Sequence, residues 1–484
     1  VRKRRLWGLA LAVFLATLGL SALGQPPPAV HGPNVILVMT DDMRMDDLRF
    51  MPNTERLLAG QGATFSQMLS PYPLCCPARA EVLSGQYSHN NGVQGNAWPR
   101  GGYYKLDSSN TLPVWLRSRG YQTVFMGKYL NQYGERDPHE VPPGWDIWDG
   151  SLTHVYDYFD VILNQNGSIV EYPHVYQTDL FDHTSTELVR ELHGSDRPYF
   201  MWVSYVAPHA ECTIAGIPAS EREGCWHPPR PELVDRGTYD DLAPLRDPSV
   251  NEANMSDKSA FMRRLPLLTP SQLRLLRFDR IQRIEALQSV DRAVAHLVAQ
   301  LKASGQYRNT YIMFTSDNGI QLGEHRWRNK ILGYEPSVLV PLIIEGPGIP
   351  HGVVRQQAVT TVDIAATIAQ MTHTRPGRVL DGESLLPLAQ GSLPDNRDRI
   401  VPLEAAPVHG TSPTWLYQGV RTNRYTLLRW DNGDIELYDR SRDPFEMSSV
   451  DGQPRYASVQ RALLDQLGRL RDCAGRSCLA WLPG

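Results

Sequence analysis

The sequence has no surplus of positive charge. Its 48 lysines and arginines face 52 aspartates and glutamates, a formal net charge of −4. A protein that neutralises nucleic-acid phosphates normally carries a basic excess, so that class of partner is set aside. It also lacks a second long apolar run: outside residues 6–23 no stretch is long enough to cross a bilayer, which excludes a multi-span membrane protein. Internal repeats are absent, and composition is unbiased, with 42% apolar and 21% charged residues. Disordered and collagen-like chains are thereby excluded. Cysteine is scarce, with six residues in 484, so the place of each one matters.

What is present starts at the N-terminus. Residues 2–5 read Arg-Lys-Arg-Arg, residues 6–23 carry no charge, and Gly24, Gln25 and Pro26–Pro28 follow. This is the basic, apolar and small-residue succession of a secretory signal, with Ala22-Leu23-Gly24 as a usable cleavage site. The alternative is an uncleaved anchor, because 18 apolar residues suffice to span a membrane. Either way the expected location is secreted or extracytoplasmic. Removing residues 1–24 takes away four basic and no acidic residues, moving the net charge from −4 to −8. In an oxidising compartment Cys212 could pair with Cys225, and Cys473 with Cys478. Cys75 and Cys76 are adjacent, and a vicinal disulfide is strained, so they need another explanation.

The apolar pattern predicts strands at 34–40, 121–126, 199–206, 310–315 and 340–345. Helical spacing is expected at 52–62, 111–120 and 269–304. Alternation of strands and helices points to an α/β fold, a mainly parallel sheet flanked by helices. After about residue 375 short runs at 418–422, 425–430 and 435–438, separated by turn residues such as Asp431-Asn432-Gly433, predict an antiparallel meander. A last helix is expected at 456–471. The expected organisation is a signal at 1–24, a linker at 25–33, a catalytic domain at 34–375 and a smaller antiparallel-sheet domain at 376–484. Residues 210–268 show no clear period and read as an insertion of surface loops.

Two of the apolar strands end in paired oxygen ligands, Asp41-Asp42 and Asp317-Asn318. Ligands of open α/β sheets bind beyond the carboxyl ends of strands. Three carboxylates meeting there would repel one another without a cation, and an oxygen-only set suits a hard divalent ion such as Ca²⁺. Taken singly, each pair could equally be a helix cap or a turn. The segment from Leu74 to Gly85 contains C-x-P-x-R and then L-x-G. Pro77 suits the first position of a helix and Gly85 its end. Cys75 would then sit just before a helix N-terminus, where backbone N–H groups favour an anion. Arg79 offers a guanidinium fork matched to a tetrahedral oxyanion.

With these residues assembled, the chain resembles the type I sulfatases of the alkaline phosphatase-like superfamily, over about residues 34–478. It is most similar to their N-acetylglucosamine-6-sulfatase branch. The stretches that carry the resemblance are LCCPAR at 74–79, GYQTVFMGKYLNQYG at 120–134, TSDNG at 315–319 and LRDCAGRSC at 470–478. The resemblance implies that a separate formylglycine-generating enzyme oxidises Cys75, but not Cys76, to Cα-formylglycine. One hydroxyl of that aldehyde's gem-diol would attack sulfur and displace the alcohol, leaving an enzyme sulfate ester; the other hydroxyl would then lose its proton, re-form the aldehyde and expel sulfate. It places one Ca²⁺ on Asp41, Asp42, Asp317, Asn318 and modified Cys75. It places sulfate-binding cations at Arg79, Lys128 and Lys330, and a histidine that can protonate the leaving oxygen at His209. Many arylsulfatases read Gly-Lys-x-His, whereas here Gly127-Lys128-Tyr129-Leu130 lacks that histidine. The base that re-forms the aldehyde is therefore open, with His89 and His325 as candidates.

The implied substrate is a sulfate ester, of a sulfated sugar such as N-acetylglucosamine 6-sulfate or of an aryl group. Substrate choice is expected to lie in loops at 85–110, 210–268 and 405–416. A phosphonate or phosphate ester hydrolase of the same fold is the first alternative. A sulfatase-like binding protein without activity is the second, and the presence of every motif residue argues against it. Oligomeric state is not encoded in any pattern found.

Overall fold

The computed structural model describes residues 31–211, 227–395, 397–407 and 415–482. The expected signal and the Cys212/Cys225 pair lie outside these residues. Among the described residues no helix is long and apolar enough to cross a membrane.

Continuous apolar runs can be buried on both faces, and here they form the middle of a ten-stranded sheet. Its spatial order is Val353–Arg355, Ala63–Phe65, Leu342–Glu345, Thr310–Ser316, Asn34–Thr40, Tyr199–Ser204, Gln122–Gly127, Ile147–Ser151, Asp160–Gln165 and Ser168–Pro173. The central five, from Thr310–Ser316 to Ile147–Ser151, are parallel. The edges turn antiparallel, at Leu342–Glu345 on one side and at the Asp160–Pro173 hairpin on the other. Side chains of Asn34–Thr40 alternate between two cores. Val35, Leu37 and Met39 pack with Leu83, Trp115 and Ile364 on one face. Ile36 and Val38 pack with Phe181, Val290 and Leu297 on the other. Helices thus cover both faces, as the α/β reading expected.

The long helix Pro270–Ala303 begins at Thr269, whose side chain accepts the Gln272 N–H in a reciprocal capping box. The expected helix over 52–62 ends early at Leu57 and continues as a 3₁₀ turn at Ala59–Gln61. The run expected over 340–345 is broken at Pro341, which has no N–H to give a ladder. Leu339–Val340 pairs with Met68–Leu69 in a small separate sheet, and only Leu342–Glu345 joins the large one. Helix Cys75–Ser84 is buried along its whole length and closes on Gly85 at φ 65°. A Cβ there would meet Leu380 Cδ2 at 2.7 Å, so glycine serves both conformation and packing. The helix starts earlier than expected. Ala78 N–H already bonds Leu74 O at 3.0 Å, so Cys75 is the first helical residue and Pro77 lies inside the first turn. No intrahelical acceptor is needed there, so the missing N–H is harmless.

The C-terminal region is a five-stranded antiparallel sheet in the order Ile435–Asp439, Tyr425–Trp430, Tyr417–Arg421, Arg399–Ala405, Ala480–Trp481. The helix Ala457–Leu470 packs on it, and a disulfide joins Cys473 to Cys478. Cys75 and Cys76 are free thiols, both buried. Arg399, on that sheet, reaches Asp363 on the helix Val362–Met371, with contacts of 2.6 and 3.1 Å. Both side chains are fully buried, and Val362–Met371 in turn packs on Cys75–Ser84. Asp363→Ala would strand a buried guanidinium, so we predict a loss of about 3–5 kcal/mol of stability. Thermal or urea unfolding reads it, and Arg399→Met in the same chain should recover part of the loss.

Candidate active site

The register of the central strands builds the site. Thr40 lies opposite Ser316 in parallel strands, so Asp41 and Asp317 leave the sheet side by side. Gly127 and Met39 both pair with Ser204, which brings Lys128 to the same line. The helix Cys75–Ser84 starts here, with Cys75 Sγ 3.6 Å from Asp41 Oδ1 and accepting from Lys330 Nζ at 2.7 Å. Lys128 Nζ donates to Asp41 Oδ2, and Lys330 Nζ donates to Asp42 Oδ1. His209, next to the strand Tyr199–Ser204, puts Nε2 3.5 Å from Asp42 Oδ2. Asp42 has φ 66°, a left-handed conformation that aspartate tolerates better than most residues. Three groups hold it: its N–H donates to Asp317 Oδ1 at 3.1 Å, its carbonyl accepts from Arg283 Nη2, and Asn318 Nδ2 donates to its Oδ1 at 2.6 Å.

Arg79 is spoken for on one edge. Nε donates to Asp317 Oδ2 at 2.7 Å, and Nη1 donates to Lys128 O and Ser204 Oγ, both at 2.7 Å. Nη2 is buried without a hydrogen-bond partner, 3.5 Å from Asp41 Oδ2. Asn318 Oδ1 is likewise buried and unpartnered. Buried polar atoms are nearly always satisfied, so Arg79 Nη2 and Asn318 Oδ1 are a donor and an acceptor left for a ligand.

Electrostatics follow from burial and pairing. Burial raises the Asp41 carboxyl, but Lys128, His209 and Arg79 outweigh it and hold it down at about 2. Burial opposes ionisation of Asp42 too, and Lys330 with His209 keeps it below the usual range. Burial, then Asp41, pushes the Cys75 thiol up to about 12 against the pull of Lys128 and Lys330. Burial lowers His209 to about 4, more than Asp42 and Asp41 restore. Its Nδ1 lies 2.7 Å from the Ala210 carbonyl, so Nδ1 carries a hydrogen and Nε2 is the nitrogen turned toward Asp42.

Two family models match the chain. The sulfatase model covers residues 33–374, and a model for the C-terminal part of N-sulphoglucosamine sulphohydrolase covers 323–473. The chain belongs to the sulfatase family. Its members hydrolyse sulfate esters, so this sulfatase is an enzyme of that type. It is 31% identical over 523 residues to N-acetylglucosamine-6-sulfatase of Homo sapiens, covering 97% of this chain and 89% of that one. A solved protein in complex with its substrate D-glucosamine-2-N,6-O-disulfate superposes with a TM-score of 0.75 at 23% identity, covering 91% of this chain and 98% of that one. The phosphonate monoester hydrolase of Agrobacterium radiobacter gives a TM-score of 0.70 at 22% identity, covering 91% and 95%. Structural likeness at these identities establishes the alkaline phosphatase-like fold.

The structure brings together Asp41, Asp42, Cys75, Arg79, Lys128, His209, Asp317, Asn318 and Lys330. Ligand atoms of Asp41, Asp42, Cys75 and His209 all lie within 4.8 Å of one another. The donor set fits a hard divalent cation: carboxylate oxygens from three aspartates and the unpartnered Asn318 Oδ1. His89 and His325, the candidate bases, are bound elsewhere. His89 Nδ1 lies 2.8 Å from Glu404 and its Nε2 3.1 Å from Cys473 O. His325 Nδ1 lies 2.6 Å from Glu252 Oε2.

Sequence reasoning missed Tyr156, Asn131 and Arg283. The Tyr156 ring stacks on His209 at 4.2 Å and lies 4.7 Å below Lys128 Nζ. Asn131 Nδ2 donates to the Tyr156 hydroxyl at 3.1 Å. Arg283, from the middle of Pro270–Ala303, donates to Pro208 O at 2.8 Å as well as to Asp42 O. Its signal was a cation on the apolar face of a helix. Arg283→Met would release both the Asp42 turn and the His209 turn. We predict a fall in kcat of about 10–100-fold for sulfate-ester hydrolysis with folding retained, since each charge-assisted bond contributes about 1.5–3 kcal/mol. Steady-state kinetics and circular dichroism on the same preparation check it.

Proposed function

We propose that this sulfatase is exported and removes sulfate from a sulfated sugar, N-acetylglucosamine 6-sulfate in an anionic glycan being the substrate we infer. One observation carries the reading: a spare donor, Arg79 Nη2, and a spare acceptor, Asn318 Oδ1, are buried in the same cluster as Cys75. A spare buried donor among lysines suits an anion, and a spare acceptor among carboxylates suits a cation. The similarity to the human N-acetylglucosamine-6-sulfatase over nearly the whole chain supports the choice of sugar.

A buried thiol with a pKa near 12 is a poor nucleophile at neutral pH, which supports conversion of Cys75 to formylglycine. The hydrate of that aldehyde supplies a hydroxyl nucleophile. Because Cys75 is 1% exposed, the generating enzyme must meet this segment before the chain folds. A Ca²⁺ ion on Asp41, Asp42, Asp317, Asn318 and position 75 would supply Lewis-acid polarisation of a sulfate oxygen. Arg79 binds a sulfate oxygen through Nη2 and is fixed for that by its bonds to Asp317, Lys128 and Ser204. Lys128 and Lys330 supply charge from either side of position 75. His209 presents Nε2 to the same space and takes a proton there before it gives one to the leaving oxygen.

The test is direct. The peptide holding residue 75 should weigh about 18 Da less than its cysteine form. Cys75→Ala should lower sulfate release on the order of 10³-fold or more. With paired sulfate and phosphonate esters of one alcohol, sulfate should be preferred, and a phosphonate preference would transfer the assignment to the alternative hydrolase.

A further inference from the structure

The wall of the site runs outward from Lys128 into a surface that the chemistry above does not use. Asn131 holds the Tyr156 hydroxyl at 3.1 Å. Its neighbour Gln132 accepts the Trp98 N–H through Oε1 at 2.7 Å. Two residues before Trp98, Asn96 Oδ1 accepts the Cys76 N–H at 3.0 Å. The Trp98 loop is thus tied both to the helix that presents Cys75 and to the segment that presents Lys128.

Trp98 is 56% exposed. Lys105 Nζ and Arg136 Cζ each lie 5.8 Å from its ring centroid, and Arg136 Cζ also sits 4.0 Å over Tyr104. Both cations are exposed, and neither joins an ion pair among the described residues. Acids on the same loops are engaged with other partners. Glu135 accepts from Gln132 Nε2 at 3.0 Å, Asp137 from the His139 N–H at 2.9 Å, and Glu140 from the Tyr103 hydroxyl. Asp107 accepts from the Ser109 hydroxyl at 2.6 Å and lies 3.8 Å from Arg378.

A single exposed tryptophan needs no function. This one differs because two unpaired cations flank it and hydrogen bonds tie its loop to both walls of the site. The indole face matches the C–H face of a pyranose, and the cations match sulfate or carboxylate groups on that sugar. We propose that Trp98, Lys105 and Arg136 form a second sugar-binding subsite, which receives the residue next to the scissile one in an anionic glycan. The proposal rests on the functional reading above and extends it from a single sugar to a chain. Exposed ion pairs alone contribute little, so Trp98 carries the affinity and the two cations carry the preference for anionic sugars.

The test uses the full chain with Cys75→Ala, so that no turnover occurs. It is titrated calorimetrically with a heparin tetrasaccharide at two salt concentrations, and with uncharged chitotetraose. Trp98→Ala should weaken tetrasaccharide binding by about tenfold or more. Lys105→Ala with Arg136→Ala should weaken it and flatten its salt dependence. Trp98 is exposed, so its removal should leave the thermal midpoint in place. The subsite is overturned if Trp98→Ala binds like the parent, if chitotetraose binds as tightly as the heparin fragment, or if the parent does not bind the fragment. Sulfate release by the unmutated enzyme reads the functional proposal separately. A chain that binds through Trp98 and releases no sulfate supports the subsite and contradicts that proposal.

Discussion

Three aspartates and three cations share one buried pocket at the ends of parallel strands, and the rest of the structure exists to hold them there. Asp41, Asp42 and Asp317 are at most 2% exposed, and Arg79, Lys128 and Lys330 at most 6%. Removing so many charges from water is costly unless each is paired and hydrogen-bonded. The sheet supplies the pairing through its register, which sets Asp41 beside Asp317. The helix Cys75–Ser84 supplies Arg79 and the reactive position together. Arg283 reaches across from the opposite face to hold the two turns that carry Asp42 and His209. Arg79 Nη2 and Asn318 Oδ1 are left without hydrogen-bond partners beside Cys75, a donor suited to an anion and an acceptor suited to a cation.

Bulk charge says little about that preference. The chain is net negative, yet its ligand is an anion. In the proposed reading attraction is local, with Arg79, Lys128 and Lys330 at the strand ends and Lys105 and Arg136 beside Trp98. On that reading a net-negative enzyme holds an anionic substrate through a few local cations and not through its bulk charge.

Much of this was legible in the sequence, for a physical reason. Strands buried on both faces must be continuous apolar runs, so Asn34–Thr40, Tyr199–Ser204 and Thr310–Ser316 stand out, and acids at two of their ends stand out further. The C-terminal meander was legible from its turns, although Arg399–Ala405 was missed because Pro402 interrupts the pattern. The outer hairpin, Asp160–Gln165 and Ser168–Pro173, was missed because its apolar runs, Val161–Leu163 and Ile169–Val170, are short and bounded by polar residues. Cys75 and Arg79 were legible as a motif, but the helix start was misplaced because Pro77 was read as its first residue. Lys330 came from family resemblance alone, since its loop has no period to read. Tyr156, Asn131 and Arg283 reach the pocket from segments of ordinary composition, and only the fold brings them there. His89 and His325 show the converse, being close to motifs in the chain yet hydrogen-bonded elsewhere.

The central claim is that the spare acceptor and the three aspartates form a divalent-cation site inside the anion-binding pocket. Calorimetric titration of chelator-treated protein with Ca²⁺ tests it most directly. The account predicts saturation at one ion per chain, a raised thermal midpoint in the loaded form, and much weaker binding in the Asn318→Ala variant. A flat titration, or an Asn318→Ala variant that binds Ca²⁺ as well as the parent, would contradict it.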